Sequence, residues 1–105
     1  MSDDVRIPVL TDNDQQADAV GDVLNERARQ DRKWGTHFPG RKHDRWLTIL
    51  TEEVGEAAEA ILQADNPNGD EKAEQTLADV RREVVQIAAV ALSWLEHGEW
   101  PEVPR

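Results

Sequence analysis

Two long stretches of the chain repeat apolar residues at intervals of three and four, which is the spacing of an amphipathic helix. They cover residues 45–63 and 72–97. Their apolar positions are Leu47, Leu50, Val54, Ala57 and Ile61 in the first, and Leu77, Val80, Val84, Ile87, Ala91 and Leu95 in the second. A cluster of turn residues at 65–70 separates them, and so short a connection predicts antiparallel neighbouring helices joined along these two stripes.

The ends of the helices carry recognisable signals. Asp12 or Asn13 can cap a first helix that runs to about Lys33, and Asp44 can cap the second helix. Gly98 closes the third helix at its carboxyl end. The sequence therefore predicts an all-α fold with three main helices.

We expect three parts: an extended N-terminal arm at 1–12, a helical domain at 13–98 and a non-helical tail at 99–105. Three helices are too few to close a core, because the third helix also has apolar residues off its main stripe. These residues are Val85, Ala89 and Leu92. We therefore expect partner chains to cover them in a homo-oligomer.

Charge and composition exclude several classes of function. Twelve Lys and Arg face 22 Asp and Glu, giving a formal net charge of −10, which repels nucleic acid and anionic membranes. There is no cysteine, so disulfide frameworks and thiolate metal sites are excluded. No apolar run approaches the ~20 residues of a membrane span, nor is there a signal-like segment. The cytoplasm is the expected compartment.

Acidic residues flank both apolar stripes. Glu53 and Glu56 share one face of the second helix, and Glu83 and Gln86 share one face of the third. If the helices pack antiparallel, these side chains face each other across ~8–10 Å between helix axes. Carboxylates so placed favour a hard cation such as magnesium. The alternative is that they are solvated flanks of amphipathic helices, and spacing alone leaves both interpretations open.

The segment between the first two helices carries side chains suited to recognition. Lys33, Trp34 and His37 lie in or beside a stretch with two glycines and a proline, so we expect a loop that can cover a ligand. Trp46 is a candidate for stacking on an aromatic group of that ligand. The alternatives are that Trp46 is a core or interface residue and that the exposed basic side chains beside the loop serve solubility alone.

The chain resembles the MazG-like superfamily of all-α nucleoside triphosphate pyrophosphatases, particularly its small stand-alone bacterial and phage members. The resemblance is carried by EEVGEAAEAIL (52–62), REVVQIAAVALSWLE (82–96) and ERARQDRKWG (26–35), and it spans about residues 20–97. It implies helical-bundle homodimers or homotetramers of four-helix type. It also implies magnesium-dependent hydrolysis, with manganese as a substitute metal, of a nucleoside triphosphate to monophosphate and pyrophosphate.

The resemblance also implies roles for individual residues. Glu53, Glu56 and Glu83 match the metal ligands, and Glu52 matches the leading glutamate. Glu52 or a free carboxylate nearby would orient or deprotonate the attacking water, Lys33 would meet phosphates, and Trp34, His37 and Trp46 would contact the base. Gln86 stands where the family pattern has aspartate. An amide oxygen can ligate magnesium but brings no charge, so the alternative is a weakened or inactive oligomerisation or regulatory module. A di-iron bundle is disfavoured because neither motif supplies the required histidine.

Overall fold

The computed structural model describes residues 14–35, 42–65, 70–102 and 104. Three helices form: α1 at Asp14–Trp34, α2 at His43–Ala64 and α3 at Asp70–His97. The described residues contain no strand, so the predicted all-α class is confirmed, and α2 and α3 begin within two residues of the predicted starts. The predicted arm at 1–12 and the caps at Asp12 and Asn13 lie outside the described residues.

Helix α3 is the central element. It packs against both α1 and α2, whereas no Cα atoms of α1 and α2 approach within 8 Å in the described part of the chain. The first residue of α2, His43, hydrogen-bonds Trp94 near the end of α3, while Gln63 near the end of α2 shares a groove with Asp79 near the start of α3. The predicted antiparallel arrangement of α2 and α3 is therefore confirmed.

The core lies between the first half of α2 and the second half of α3. Trp46 and Val90 are its largest buried side chains, each 2% exposed, and they are packed against by Ile49, Leu50 and Trp94. Burying a tryptophan removes on the order of 200 Å² of largely apolar surface from water. The core is small, and it fixes the register of the two helices.

Much of the predicted seam faces outward instead. Leu47, Val54 and Ile61 recur every seventh residue. At ~100° per residue they lie about 60° around α2 from Trp46 and Ala57, which are buried, and Leu50, which is partly buried; we call these three the buried stripe. Besides Leu62, the large exposed apolar residues on the two helices are Leu47, Val54 and Ile61 of α2 and Leu77, Val84 and Leu95 of α3; we call these six the apolar face. The prediction of one packing seam on each helix is therefore wrong for these positions, because only one flank of each stripe meets the neighbouring helix.

The start of α2 differs from the prediction. Lys42 is the N-cap residue, with extended backbone and no side-chain cap, and its carbonyl accepts hydrogen bonds from the Arg45 and Trp46 amides at 3.0 and 3.1 Å. Asp44 lies inside the first turn, where its Oδ1 accepts from the Arg45 amide at 2.8 Å. The predicted Asp44 cap is therefore wrong, although a carboxylate in the first turn still interacts favourably with the helix dipole.

The tail folds back on the bundle after α3 ends. The Gly98 amide donates to the Trp94 carbonyl at 2.7 Å, which confirms Gly98 as the closing residue. Trp94 Nε1 donates to His43 Nδ1 at 2.9 Å. The other ring nitrogen of His43 donates to the Glu99 carbonyl at 2.9 Å, and Trp100 Nε1 donates to the Trp94 carbonyl at 3.2 Å. The start of the tail is thus fastened to α2.

A buried arginine joins α1 to α3. Arg27 is 7% exposed and forms salt bridges with Asp31, at 2.8 Å, and with Glu96 of α3. Gln30 and Ser93 are buried as well. The junction of these helices is therefore partly polar, and it was not predicted from the apolar pattern. None of the described helices combines the length and apolarity that a membrane crossing requires.

Candidate metal centre

Three glutamates converge where α2 and α3 pack side by side. One carboxylate oxygen from each of Glu53, Glu56 and Glu83 lies within 4.8 Å of the others; we call these residues the acid triad. Glu53 and Glu56 share a face because they are three residues apart on α2, and that face lies about 70° from the buried stripe, on the flank opposite the apolar face. The antiparallel register brings Glu83 of α3 opposite them.

Partial burial and mutual repulsion disfavour the charged forms of two acids of the triad, Glu53 and Glu83. Partial burial raises the pKa of Glu53, and the charges of Glu56 and Glu83 raise it further. Partial burial also raises the pKa of Glu83, reinforced by the Glu56 charge and opposed by Arg82. Both shifts mean that the folded chain holds protons on these groups more tightly than an isolated glutamate does. A bound cation would relieve the same repulsion.

The donor set fits a hard divalent cation. Magnesium binds oxygen at 2.0–2.1 Å in octahedral geometry, so two of its ligands lie at most about 4.2 Å apart. The oxygens of the acid triad are within 4.8 Å of one another, and small rotations of the side chains would bring them to that spacing. The carboxylates supply three negative charges and no softer ligand, which suits magnesium or manganese.

Gln86 lies against two of the three acids. With its amide nitrogen turned toward them, it donates to Glu53 Oε2 at 3.0 Å and to Glu83 Oε2 at 3.1 Å. This orientation follows from its neighbours, because both of those atoms only accept hydrogen bonds. Gln86 therefore bridges α2 and α3 as a neutral donor. To serve as a metal ligand, as predicted, its amide would have to turn so that the oxygen faces the site.

Residues outside the predicted set add charge around the acid triad. Glu26 of α1 holds Arg29 in a two-point salt bridge, with distances of 2.8 and 2.7 Å, and this pair lowers the pKa of Glu26. The charge of Glu26 also contributes to the raised pKa of Glu53. Glu26 and Arg29 both belong to the ERARQDRKWG stretch, which is the one sequence signal that could have pointed to them.

An open groove continues from the acid triad toward the end of α2. Its volume is about 340 Å³, at the lower end of the ~300–1,000 Å³ common for ligand pockets. Its lining residues are Glu56, Glu59, Ala60, Gln63, Asp79, Arg82 and Glu83. Glu56 and Glu83 of the acid triad are among them, so a ligand in this groove would lie beside the triad.

The remaining predicted site residues lie elsewhere. Glu52 is exposed on α2 next to Glu53 but outside the acid triad. Lys33 and Trp34 lie together at the end of α1, with Lys33 Nζ 5.5 Å from the Trp34 ring centroid. His37 lies outside the described residues. Trp46 is in the core, with 2% of its surface exposed, so its ring has no open face for a base and the alternative core role fits instead.

Comparisons with protein-family models, with characterised proteins and with solved structures find no match to this chain. The resemblance to the MazG-like superfamily therefore rests on the sequence motifs alone.

Proposed function

We propose that the protein is a magnesium-dependent nucleoside triphosphate pyrophosphohydrolase, which cleaves an NTP or dNTP to a monophosphate and pyrophosphate. The observation that carries the proposal is the convergence of Glu53, Glu56 and Glu83 from two helices within 4.8 Å. Two further observations support it: the raised pKa values of Glu53 and Glu83 and the groove that begins at the acid triad. Manganese would serve as a substitute metal.

In this proposal the acid triad holds the metal, which supplies charge neutralisation and a water of lowered pKa when bound. Gln86 contributes its amide oxygen after the side chain turns. Glu52 is the proposed base, because it is a solvent-exposed carboxylate beside Glu53 that can take a proton from the water attacking the α-phosphorus. Lys33, Trp34 and His37 remain proposed contacts to the nucleotide.

The test is pyrophosphate release from a panel of canonical and damaged NTPs and dNTPs with magnesium. We expect release from at least one substrate, and loss of release in Glu53→Gln and Glu83→Gln. Glu52→Gln should lower kcat while leaving metal affinity near that of the wild type. Full activity in either acid-triad variant would contradict the proposed site.

A second candidate is an inactive helical oligomerisation or regulatory module. The Gln86 amide favours it, because its hydrogen bonds to Glu53 and Glu83 satisfy two acids without a metal. This candidate predicts normal assembly and no pyrophosphate from any substrate in the panel. Activity restored by Gln86→Asp in an otherwise inactive protein would identify a site that has lost its chemistry.

We also propose that the protein is a homodimer or homotetramer joined through the apolar face. The apolar face consists of six residues on neighbouring helices, and each exposes between 47% and 64% of its surface. An exposed apolar surface of this kind favours association. Val84→Asp should therefore shift the sedimentation profile toward monomer. Thr48→Asp, at an exposed position about 120° around α2 from the centre of the apolar face, should leave it unchanged, and a monomeric wild type at micromolar concentration would contradict the proposal.

A further inference from the structure

The groove beside the acid triad has an unusual charge distribution for a site that is to receive an anion. Four of its lining residues are carboxylates, namely Glu56, Glu59, Asp79 and Glu83. Arg82 is the cation among the lining residues. A free polyphosphate would be repelled by such a surface. The same polyphosphate carrying a divalent metal would be accepted, and Arg82 is placed to meet the part of its charge that the metal leaves exposed.

Arg82 is held in position by a partner within the groove. Its Nη1 donates to Asp79 Oδ1 at 2.6 Å, and 58% of its side-chain surface remains exposed. A guanidinium carries five N–H donors in a planar fork that matches phosphate oxygens. One contact to Asp79 therefore leaves donors for a ligand. The charge of Arg82 also reaches the acid triad, since it opposes the rise in the pKa of Glu83.

The neighbouring arginine points elsewhere. Arg81 Nη2 forms a salt bridge of 2.8 Å with Asp22 of α1, and its side chain is 59% exposed. Successive residues on a helix lie about 100° apart, so Arg81 turns toward α1. Arg82 lies between the two surfaces: it lines the groove and, with Arg81, a second pocket beside Asp22. The two arginines have equal charge and nearly equal exposure, and each pairs with one aspartate. They differ in that Arg82, and not Arg81, lines the groove that also contains Glu56 and Glu83 of the acid triad.

We propose that Arg82 is a phosphate-binding residue, and that the diphosphate or triphosphate chain of a metal-bound ligand lies in the groove between α2 and α3. This rests on the proposed function, which it deepens by placing the phosphates on the Asp79 side of the acid triad. The guanidinium donates to phosphate oxygens in the charge-assisted, two-point manner that favours arginine over lysine. Asp79 acts as a positioning residue that holds the fork over the groove.

The test uses magnesium pyrophosphate as the probe and compares Arg82→Gln with Arg81→Gln in the full chain. Binding of pyrophosphate is measured by calorimetry at saturating magnesium, and Mn²⁺ affinity is measured separately by electron paramagnetic resonance. We expect Arg82→Gln to weaken pyrophosphate binding about tenfold, the loss of one charge-assisted contact. Arg81→Gln should stay within about twofold of the wild type, since surface pairs contribute little.

The metal measurement separates ligand contact from a general structural effect. Removing a positive charge beside Glu83 should leave Mn²⁺ affinity unchanged or tighter, so Arg82→Gln should move metal and anion affinity in opposite directions or move the anion alone. Arg82→Lys, which keeps the charge without the fork, should recover part of the pyrophosphate affinity.

Equal effects of the two glutamine substitutions would overturn the role of Arg82 while leaving the proposed function intact, provided that the wild type binds pyrophosphate only with metal. A wild type that binds no pyrophosphate at saturating magnesium would overturn both. Weakened Mn²⁺ binding in Arg82→Gln would also overturn the inference, because the change would then act by disturbing the acid triad.

Discussion

Replacing Gln86 with aspartate adds a fourth carboxylate beside two acids that now share a neutral donor. In the wild type the amide donates to Glu53 at 3.0 Å and to Glu83 at 3.1 Å. Gln86→Asp removes both hydrogen bonds and introduces repulsion. Gln86→Asn is the matched control, because it has the same shape and the same shortening by one methylene but carries no charge.

The size of the charge effect follows from distance. Two unit charges about 5 Å apart repel by about 0.8 kcal/mol at the dielectric constant of water and by about 3 kcal/mol at an effective value of 20. Because the site is only partly buried, we expect Gln86→Asp to be about 1–3 kcal/mol less stable than Gln86→Asn without metal. At about 4–8 °C per kcal/mol, the melting temperatures should differ by at least ~4 °C.

Thermal unfolding in EDTA and in saturating magnesium is the assay. The aspartate variant should melt below the asparagine variant in EDTA and at or above it in magnesium, because a cation converts the added charge from a source of repulsion to a ligand. At saturating metal, each tenfold by which the aspartate variant binds magnesium more tightly than the asparagine variant offsets about 1.4 kcal/mol of the difference, so binding about 5–150 times tighter reverses the order. Equal melting temperatures of the two variants in EDTA would refute the placement of residue 86 among charged acids.

Three further predictions concern pH, the tail and the α1–α3 junction. Because the folded chain holds protons on Glu83 more tightly than the unfolded chain does, its charge destabilises the metal-free fold as pH rises above about 4, the ordinary glutamate range. Glu83→Gln should therefore gain stability over the wild type between pH 4 and 8 in EDTA; a difference that is constant with pH would contradict this. Gly98→Ala would place a Cβ atom 2.7 Å from a main-chain oxygen in the last turn of α3, so chemical denaturation should show a loss of about 1–3 kcal/mol, whereas Gly55→Ala, with nothing within 4 Å, should gain about 0.5–1 kcal/mol. Arg27→Met breaks a buried pair and should lower the free energy of unfolding by about 2–3 kcal/mol, less than a fully buried pair would cost because its acidic partners remain partly hydrated. Arg29→Met removes an arginine whose side chain is 47% exposed and should change the free energy of unfolding less than Arg27→Met does.

The helices and the meeting of the acids were predictable because both depend on local periodicity. Spacing of three and four places Glu53 beside Glu56 on α2, and a short turn at 65–70 imposes the antiparallel order that brings Glu83 opposite. Helix α2 begins one residue earlier than its predicted cap, because the Lys42 carbonyl starts the helical hydrogen bonds without a side-chain acceptor.

What the sequence left unresolved depends on which neighbour each helix meets. Periodicity identifies an apolar stripe but not which flank of it a neighbouring helix will cover. The exposure of Val54 and Val84 and the burial of Trp46 could therefore be determined only from the structure. From the sequence pattern, a charged residue such as Arg27 is expected on the solvated flank of its helix. In the structure α3 covers Arg27 and supplies Glu96 as its salt-bridge partner. The groove that Arg82 lines forms between two packed helices, so the sequence pattern of either helix alone does not reveal it.

Titration of Mn²⁺ into the metal-free protein, followed by electron paramagnetic resonance, tests the metal centre most directly. The acid triad predicts saturable binding in the wild type, strong weakening in Glu53→Gln and Glu83→Gln, and near-normal binding in Glu52→Gln, whose carboxylate lies outside the triad. No saturable binding by the wild type, or equal binding by the wild type and both acid-triad variants, would contradict the assignment of a divalent cation to this site.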